Sequence, residues 1–204
     1  SVVFVKTHVT PDMRLNGSLN ATFSGQDSCK AKIRYQSYDD GDGYIEAIED
    51  GNLIEILDFK SSGMKDYSGV ASYDFTFERD LTASDGRIYV NPFIRRFHSK
   101  DSFQSITREY PIDFPYPYGV SYMFSMDIPE GYAVEQVPEN ALIKFPGLDA
   151  TLKVMTNVSE SEIMLMFNYT QNNMVGQVED YPAIRALWQY INEVYESMIV
   201  LKKI

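Results

Sequence analysis

VASYDFTFE, Val70 to Glu78, decides how this sequence is read. Ala71, Tyr73, Phe75 and Phe77 alternate with Ser72, Asp74, Thr76 and Glu78. Successive side chains on a strand point to opposite faces, so this period of two predicts a half-buried strand with one core face and one wet face. SYMFSMDI (121–128) repeats the pattern through Tyr122, Phe124, Met126 and Ile128. EIMLMFNY (162–169) sets Ile163, Leu165 and Phe167 against Met164 and Met166, which points to a cover over its second face as well. RLNGSLNATFSG, CKAKIRYQ, NLIEILDFK, GRIYVNPF, YAVEQV, ALIKF and ATLKVMTN complete a set of short strands bounded by Gly, Pro, Asn and Asp. The expected fold class is mainly β, α+β overall, made of antiparallel β-sandwich-like domains.

Two segments depart from that period. In EDYPAIRALWQYINEVYESM, Ile184, Leu187, Trp188, Ile191, Val194, Tyr195 and Met198 form one helical stripe, with Asp180 and Pro182 marking its start. The expectation is a C-terminal amphipathic helix near 181–197, docked on a sheet through the only Trp of the chain. The other departure is YDDGDGYIEAIE (38–49). An EF-hand register puts Gly43 at the turn, Asp40 and Asp42 at ligand positions and Glu49 last, but Tyr38 then stands where the first carboxylate belongs. The better reading is a short helix near 43–50, capped by Asp42, with Ala47 and Ile48 inward and Gly51-Asn52 as the stop. No metal is expected there, and no cofactor anywhere in the chain.

The 204 residues, 44% hydrophobic and 14% aromatic, suffice for a sizeable core. A net charge of −11 works against nucleic acid or an anionic membrane as partner, since phosphate-binding surfaces are built from clustered Lys and Arg. Cys29 is the single cysteine, so neither an intrachain disulfide nor a Cys-rich metal site can form. No apolar run has the length of a membrane span, and no signal peptide stands at the start. The opening SVVFVKTHV, without Met, reads as a processed chain or a fragment of a longer one. Asn16, Asn20, Asn157 and Asn168 lie in Asn-x-Ser/Thr sequons, which also arise by chance in strands rich in Asn, Ser and Thr.

A polar interruption, RRFHSKDSFQS, followed by the Pro-rich YPIDFPYPYG, places a boundary between a β-rich accessory domain, 1–97, and a β-sandwich-like domain with the C-terminal helix, 98–204. A Cys-His-Asp machine would have to use Cys29, His8 or His98, and a carboxylate such as Asp101. Cys29 sits in an alternating segment expected to be a strand and is read as a packing residue. No residue is therefore assigned as catalytic. FPYPYGVSY is the candidate aromatic platform for sugar or peptide. The stronger reading is structural: Pro115 and Pro117 hold an extended edge, Phe114 and the tyrosines cover the end of a sandwich, and Tyr116-Pro117 is a candidate cis bond.

Asn91-Pro92-Phe93, Arg108 with Pro111, Phe114 and Tyr116-Pro117, Pro129-Gly131-Tyr132 with Val134 and Pro138, Tyr181-Pro182 with Arg185, and the closing Val200-Leu201-Lys202-Lys203 together carry a resemblance. This part of the chain, from Arg87 onward, resembles the C-terminal region, itself of unknown function, of transglutaminase-like proteins common in Bacteroidetes. Before Arg87 the likeness rests on NGSLNATFSGQDSCKAKIRY alone. The resemblance implies that the nucleophilic Cys, His and Asp belong to a core upstream of this chain, since neither Cys29 nor His98 stands in matching context. It implies a non-catalytic accessory module of a secreted or periplasmic protein, whose partner is that core. The rival expectation is a free-standing extracytoplasmic module that binds glycan or peptide; exposed aromatics around a groove would favour it, and a broad apolar face would favour docking.

Overall fold

The computed structural model describes residues 1–100 and 102–204, and within them the chain is mainly β with three α-helices. The elements are β1 (Val2–Val9), β2 (Arg14–Phe23), α1 (Gly25–Gln36), α2 (Gly41–Asn52), β3 (Glu55–Ser62), β4 (Ala71–Asp80), β5 (Thr82–Ser84), β6 (Arg87–Val90) and β7 (Ile112–Asp113). They continue with β8 (Tyr118–Asp127), β9 (Tyr132–Gln136), β10 (Ala141–Phe145), β11 (Ala150–Val158), β12 (Glu162–Gln171), β13 (Val175–Gly176), α3 (Tyr181–Glu196) and β14 (Ile199–Lys203). Eight strands form one sheet in the order β10-β11-β12-β8-β1-β2-β4-β3. A four-stranded sheet, β5-β6-β14-β9, and the β7–β13 pair complete the β structure.

Every pairing in the large sheet is antiparallel except β1 with β8, which run parallel with Val3 beside Tyr122 and Val5 beside Phe124. This pairing joins strands from either side of the 97/98 boundary expected from the sequence, and the apolar residues of both segments belong to one core. The alternation in VASYDFTFE holds in β4: Ala71, Tyr73, Phe75 and Phe77 are buried, and Asp74 and Thr76 are exposed. Close approach shapes β2 at Gly17, where a Cβ would come within 2.6 Å of the Lys6 carbonyl oxygen.

One face of the large sheet carries all three helices. Residues paired directly across strands share a face, so Phe167, Tyr122, Val3, Ala21 and Tyr73 form one inward row. At one end of this face α3 docks on β12, with Trp188 3% exposed and its ring 5.5 Å from Tyr169, and with Tyr195 5.4 Å from Phe167. At the other end Tyr44 of α2 packs edge-on against Tyr35, Phe59 and Tyr73. Burial pushes the Tyr44 phenol up to about 12, so it stays neutral.

Three local expectations are corrected. CKAKIRYQ is not a strand but most of α1: its inward face is made of Ser28 and Lys32, four residues apart, while Ile33 is 70% exposed. The Lys32 ammonium donates to the Ser68 and Gly69 carbonyls at 2.9 Å, and the Ser28 hydroxyl to Gly69 at 2.7 Å. A helix that buries polar groups hides its period from a hydrophobic pattern. The second helix is longer than expected, and Asp40 rather than Asp42 caps it by accepting the Gly43 amide at 2.9 Å. It ends in left-handed Leu53, φ 54°, beyond Gly51-Asn52. The Tyr116-Pro117 bond is trans, as are all peptide bonds among the described residues.

Candidate functional site

The second face of the large sheet has no helix over it. Register carries one row across its strands, Met155, Met166, Met123, Phe4, Asn20 and Asp74, from β11 to β4. The first four are apolar, and Phe4 (47%), Met123 (36%), Met155 (43%) and neighbouring Met164 (47%) are open to solvent. They floor a shallow trough of about 760 Å³ rimmed by Lys6, Lys60, Asp58 and Glu162. The cover expected over Met164 and Met166 is absent from the described residues, because all three helices lie on the opposite face. A contiguous apolar patch on a wet sheet face marks an interaction surface more often than isolated exposed residues do. Methionine suits such a surface, being unbranched and adaptable.

A second concavity, about 520 Å³, lies on the helix-bearing side, bordered by α1, α2, the 94–98 segment and the 114–118 segment. Its charged lining is Lys30, Arg34, Arg95 and Arg96 against one carboxylate, Asp27. Arg95 stacks its guanidinium over Phe23 at 4.7 Å and Tyr73 at 5.6 Å and donates to the Tyr73 hydroxyl at 2.6 Å. The Lys30 ammonium sits 4.6 Å above the Tyr116 ring. Asp27 is engaged on the wall, accepting from the Ser1 hydroxyl at 2.6 Å and the Tyr116 hydroxyl at 3.2 Å. Burial opposes its charge, but the hydrogen bonds from Ser1 and the attraction of the Ser1 amine outweigh burial and hold the carboxyl below its ordinary range.

The residues weighed from sequence for nucleophilic chemistry are spread out. Cys29 is exposed on α1, so it is not the packing residue expected. His8 is on the solvent side of β1, opposite Asn16. His98 is packed between Trp188 (5.7 Å) and Tyr195 (5.2 Å), and burial, with Arg96 nearby, pushes its imidazole down to about 4. Its Nε2 is buried without a partner among the described residues. No hydrogen bond among these residues joins Cys29 to either histidine, and Asp101 lies outside them. In the aromatic candidate, Phe114 packs on Trp188 and Tyr118 on Tyr169, while Tyr116 carries Lys30. The sequon residues Asn16, Asn20, Asn157 and Asn168 all belong to strands of the large sheet.

Sequence reasoning missed Phe4, Met123 and Met155 on the open face and Arg95 with Lys30 in the cleft. A signal existed for the first: in SVVFV both faces of the strand are apolar, as in EIMLMFNY. The Asn91-Pro92-Phe93 signature turns out to be a junction. The Asn91 amide donates to the Tyr195 carbonyl at 2.9 Å and its oxygen accepts from the Phe93 amide at 2.8 Å, while Arg79 reaches the carbonyls of Asn91 (3.3 Å) and Asn52 (2.7 Å).

The described residues thus form a mainly β protein with one helix-covered sheet face and one bare sheet face. The chain belongs to the DUF3858 family, a domain of unknown function with a solved structure, which it matches over residues 86–201. That span runs from the strand before the Asn91 junction to the last strand, the part with the clearest family-like signatures. No curated protein and no solved structure matched the chain.

Proposed function

We propose that this chain is a non-catalytic accessory module of a larger, extracytoplasmic transglutaminase-like protein, and that it supports or positions a core encoded upstream on the same polypeptide. The observation that carries the reading is the open sheet face, where Phe4, Met123, Met155 and Met164 lie together in solvent while the helices cover only the other side. The resemblance from Arg87 onward supplies the occupant: the core of the same polypeptide, tethered at high effective concentration. A tethered contact of this kind needs only the size and polarity of an interdomain interface, which a mixed Met, Phe, Asn and Lys surface provides. A free-standing glycan module is less well supported, because the rings along the cleft already carry cations or pack on other rings. Sequencing upstream tests the reading first. A reading frame with Cys, His and Asp in transglutaminase-like order is expected; a frame that begins at Ser1 or lacks that order overturns it.

A further inference from the structure

We propose that the cleft between α1 and the 94–98 and 114–118 segments binds a short acidic peptide, with one side-chain carboxylate seated on Arg95. The chain has 29 acidic against 18 basic residues, yet four basic side chains and a single carboxylate line this cleft; Arg96 is paired with Glu196 at 2.9 Å, and Lys30, Arg34 and Arg95 have no ion pair among the described residues. The local excess of cations is thus opposite to the charge of the whole molecule, and a low-dielectric recess focuses such a field. Asp27, the one carboxylate, is occupied by Ser1 and Tyr116. It leaves Arg95 uncompensated: Arg95 has no ion pair among the described residues.

The rings of Phe23 and Tyr73 flank the Arg95 guanidinium, and the Tyr73 hydroxyl takes one of its N–H groups. A guanidinium carries five donors in a planar fork, so a fixed one with donors to spare matches a two-oxygen planar anion. Lys30 and Arg34, both on α1 and four residues apart, extend the positive edge and give a second acidic side chain a place. The volume, about 520 Å³, falls within the roughly 300 to 1,000 Å³ of ligand sites. An acidic sugar fits less well, since sugar binding uses open ring faces and here Tyr116, Phe23 and Tyr73 have cations on theirs.

Calorimetric titration of the 204-residue chain at low salt with a blocked Glu-Phe-Glu peptide tests this. Saturable binding is expected, weakened about tenfold or more in Arg95→Gln and several-fold in the Lys30→Gln/Arg34→Gln double variant, whose changes are on exposed α1 positions and leave folding intact. The Gln-Phe-Gln peptide is expected not to bind, and a Phe4→Glu substitution on the open face to leave binding unchanged, which separates this site from core docking. Equal binding of the two peptides, no saturable binding, or binding indifferent to both the Arg95 and the α1 variants overturns the proposal. Arg95-dependent binding of digalacturonate or inorganic phosphate in place of the peptide overturns the peptide assignment.

Discussion

The Tyr122 hydroxyl donates to the Pro92 carbonyl oxygen at 2.6 Å and accepts the Ile94 amide at 3.0 Å, with its side chain fully buried. One phenol in the middle of the large sheet thereby satisfies two backbone groups of the segment that leaves β6. Burial raises its pKa well above the ordinary tyrosine value, so it remains a donor at any pH of interest. Tyr122→Phe keeps the ring and strands both backbone partners. Unsatisfied buried groups of this kind cost about 1 to 3 kcal/mol, and urea unfolding should show that loss with an unchanged slope.

Trp188 links α3 to the sheet and to the segments that flank it. Its ring lies 5.2 Å from Phe103, 5.5 Å from Tyr169 and 6.2 Å from Phe114. Trp188→Ala should lower stability by about 3 to 5 kcal/mol, and a melting temperature equal to that of the unaltered chain would remove the docked-helix account.

His98 gives stability a pH dependence. The unfolded imidazole takes its proton near 6.5 and the folded one near 4, so the unfolded chain binds more protons in between. The contribution is complete above about pH 6.5 and is lost as the pH falls toward 4, up to about 3 kcal/mol in total. Melting temperature followed from pH 7 to pH 4 should drop more steeply for the natural chain than for His98→Phe. Parallel curves would show that His98 does not titrate in that window.

Much of the fold was legible because the strands obey a simple period, and α3 because Ile184, Leu187, Trp188, Ile191, Val194 and Tyr195 keep helical spacing and are buried; Met198, expected in the same stripe, lies past the end of the helix at Glu196 and is exposed. α1 was not legible because its buried face is Ser28 and Lys32, polar groups whose partners lie some forty residues away in sequence at Ser68 and Gly69. The pairing of β1 with β8 was equally hidden, since strand order is a nonlocal fact that no local pattern encodes. The open face was half visible: Met164 and Met166 announced an apolar second face, and only the arrangement of the helices told that no helix among the described residues lies over it. The Arg95 cleft was invisible, because Arg95-Arg96 read as the polar break of a linker.

The helical placement of Cys29 changes what its chemistry should look like. An exposed thiol on α1 is open to reagents, whereas a core cysteine is not. One equivalent of Ellman's reagent should react with the folded chain, without prior unfolding, and Cys29→Ser should abolish the signal. Labelling that requires denaturant would contradict the exposed position.

The central claim, that the open sheet face is covered by an upstream core, is tested most directly by methionine oxidation in two forms of the protein. In the 204-residue chain, Met123, Met155 and Met164 are accessible to dilute peroxide, as are Met174 and Met198, which lie outside the open face. Sulfoxide formation tracks that access. Peptide mass spectrometry of the longer polypeptide should show Met123, Met155 and Met164 protected while Met174 and Met198 oxidise as before. Equal oxidation of all five methionines in both forms would mean that nothing docks on this face, and the account would fail.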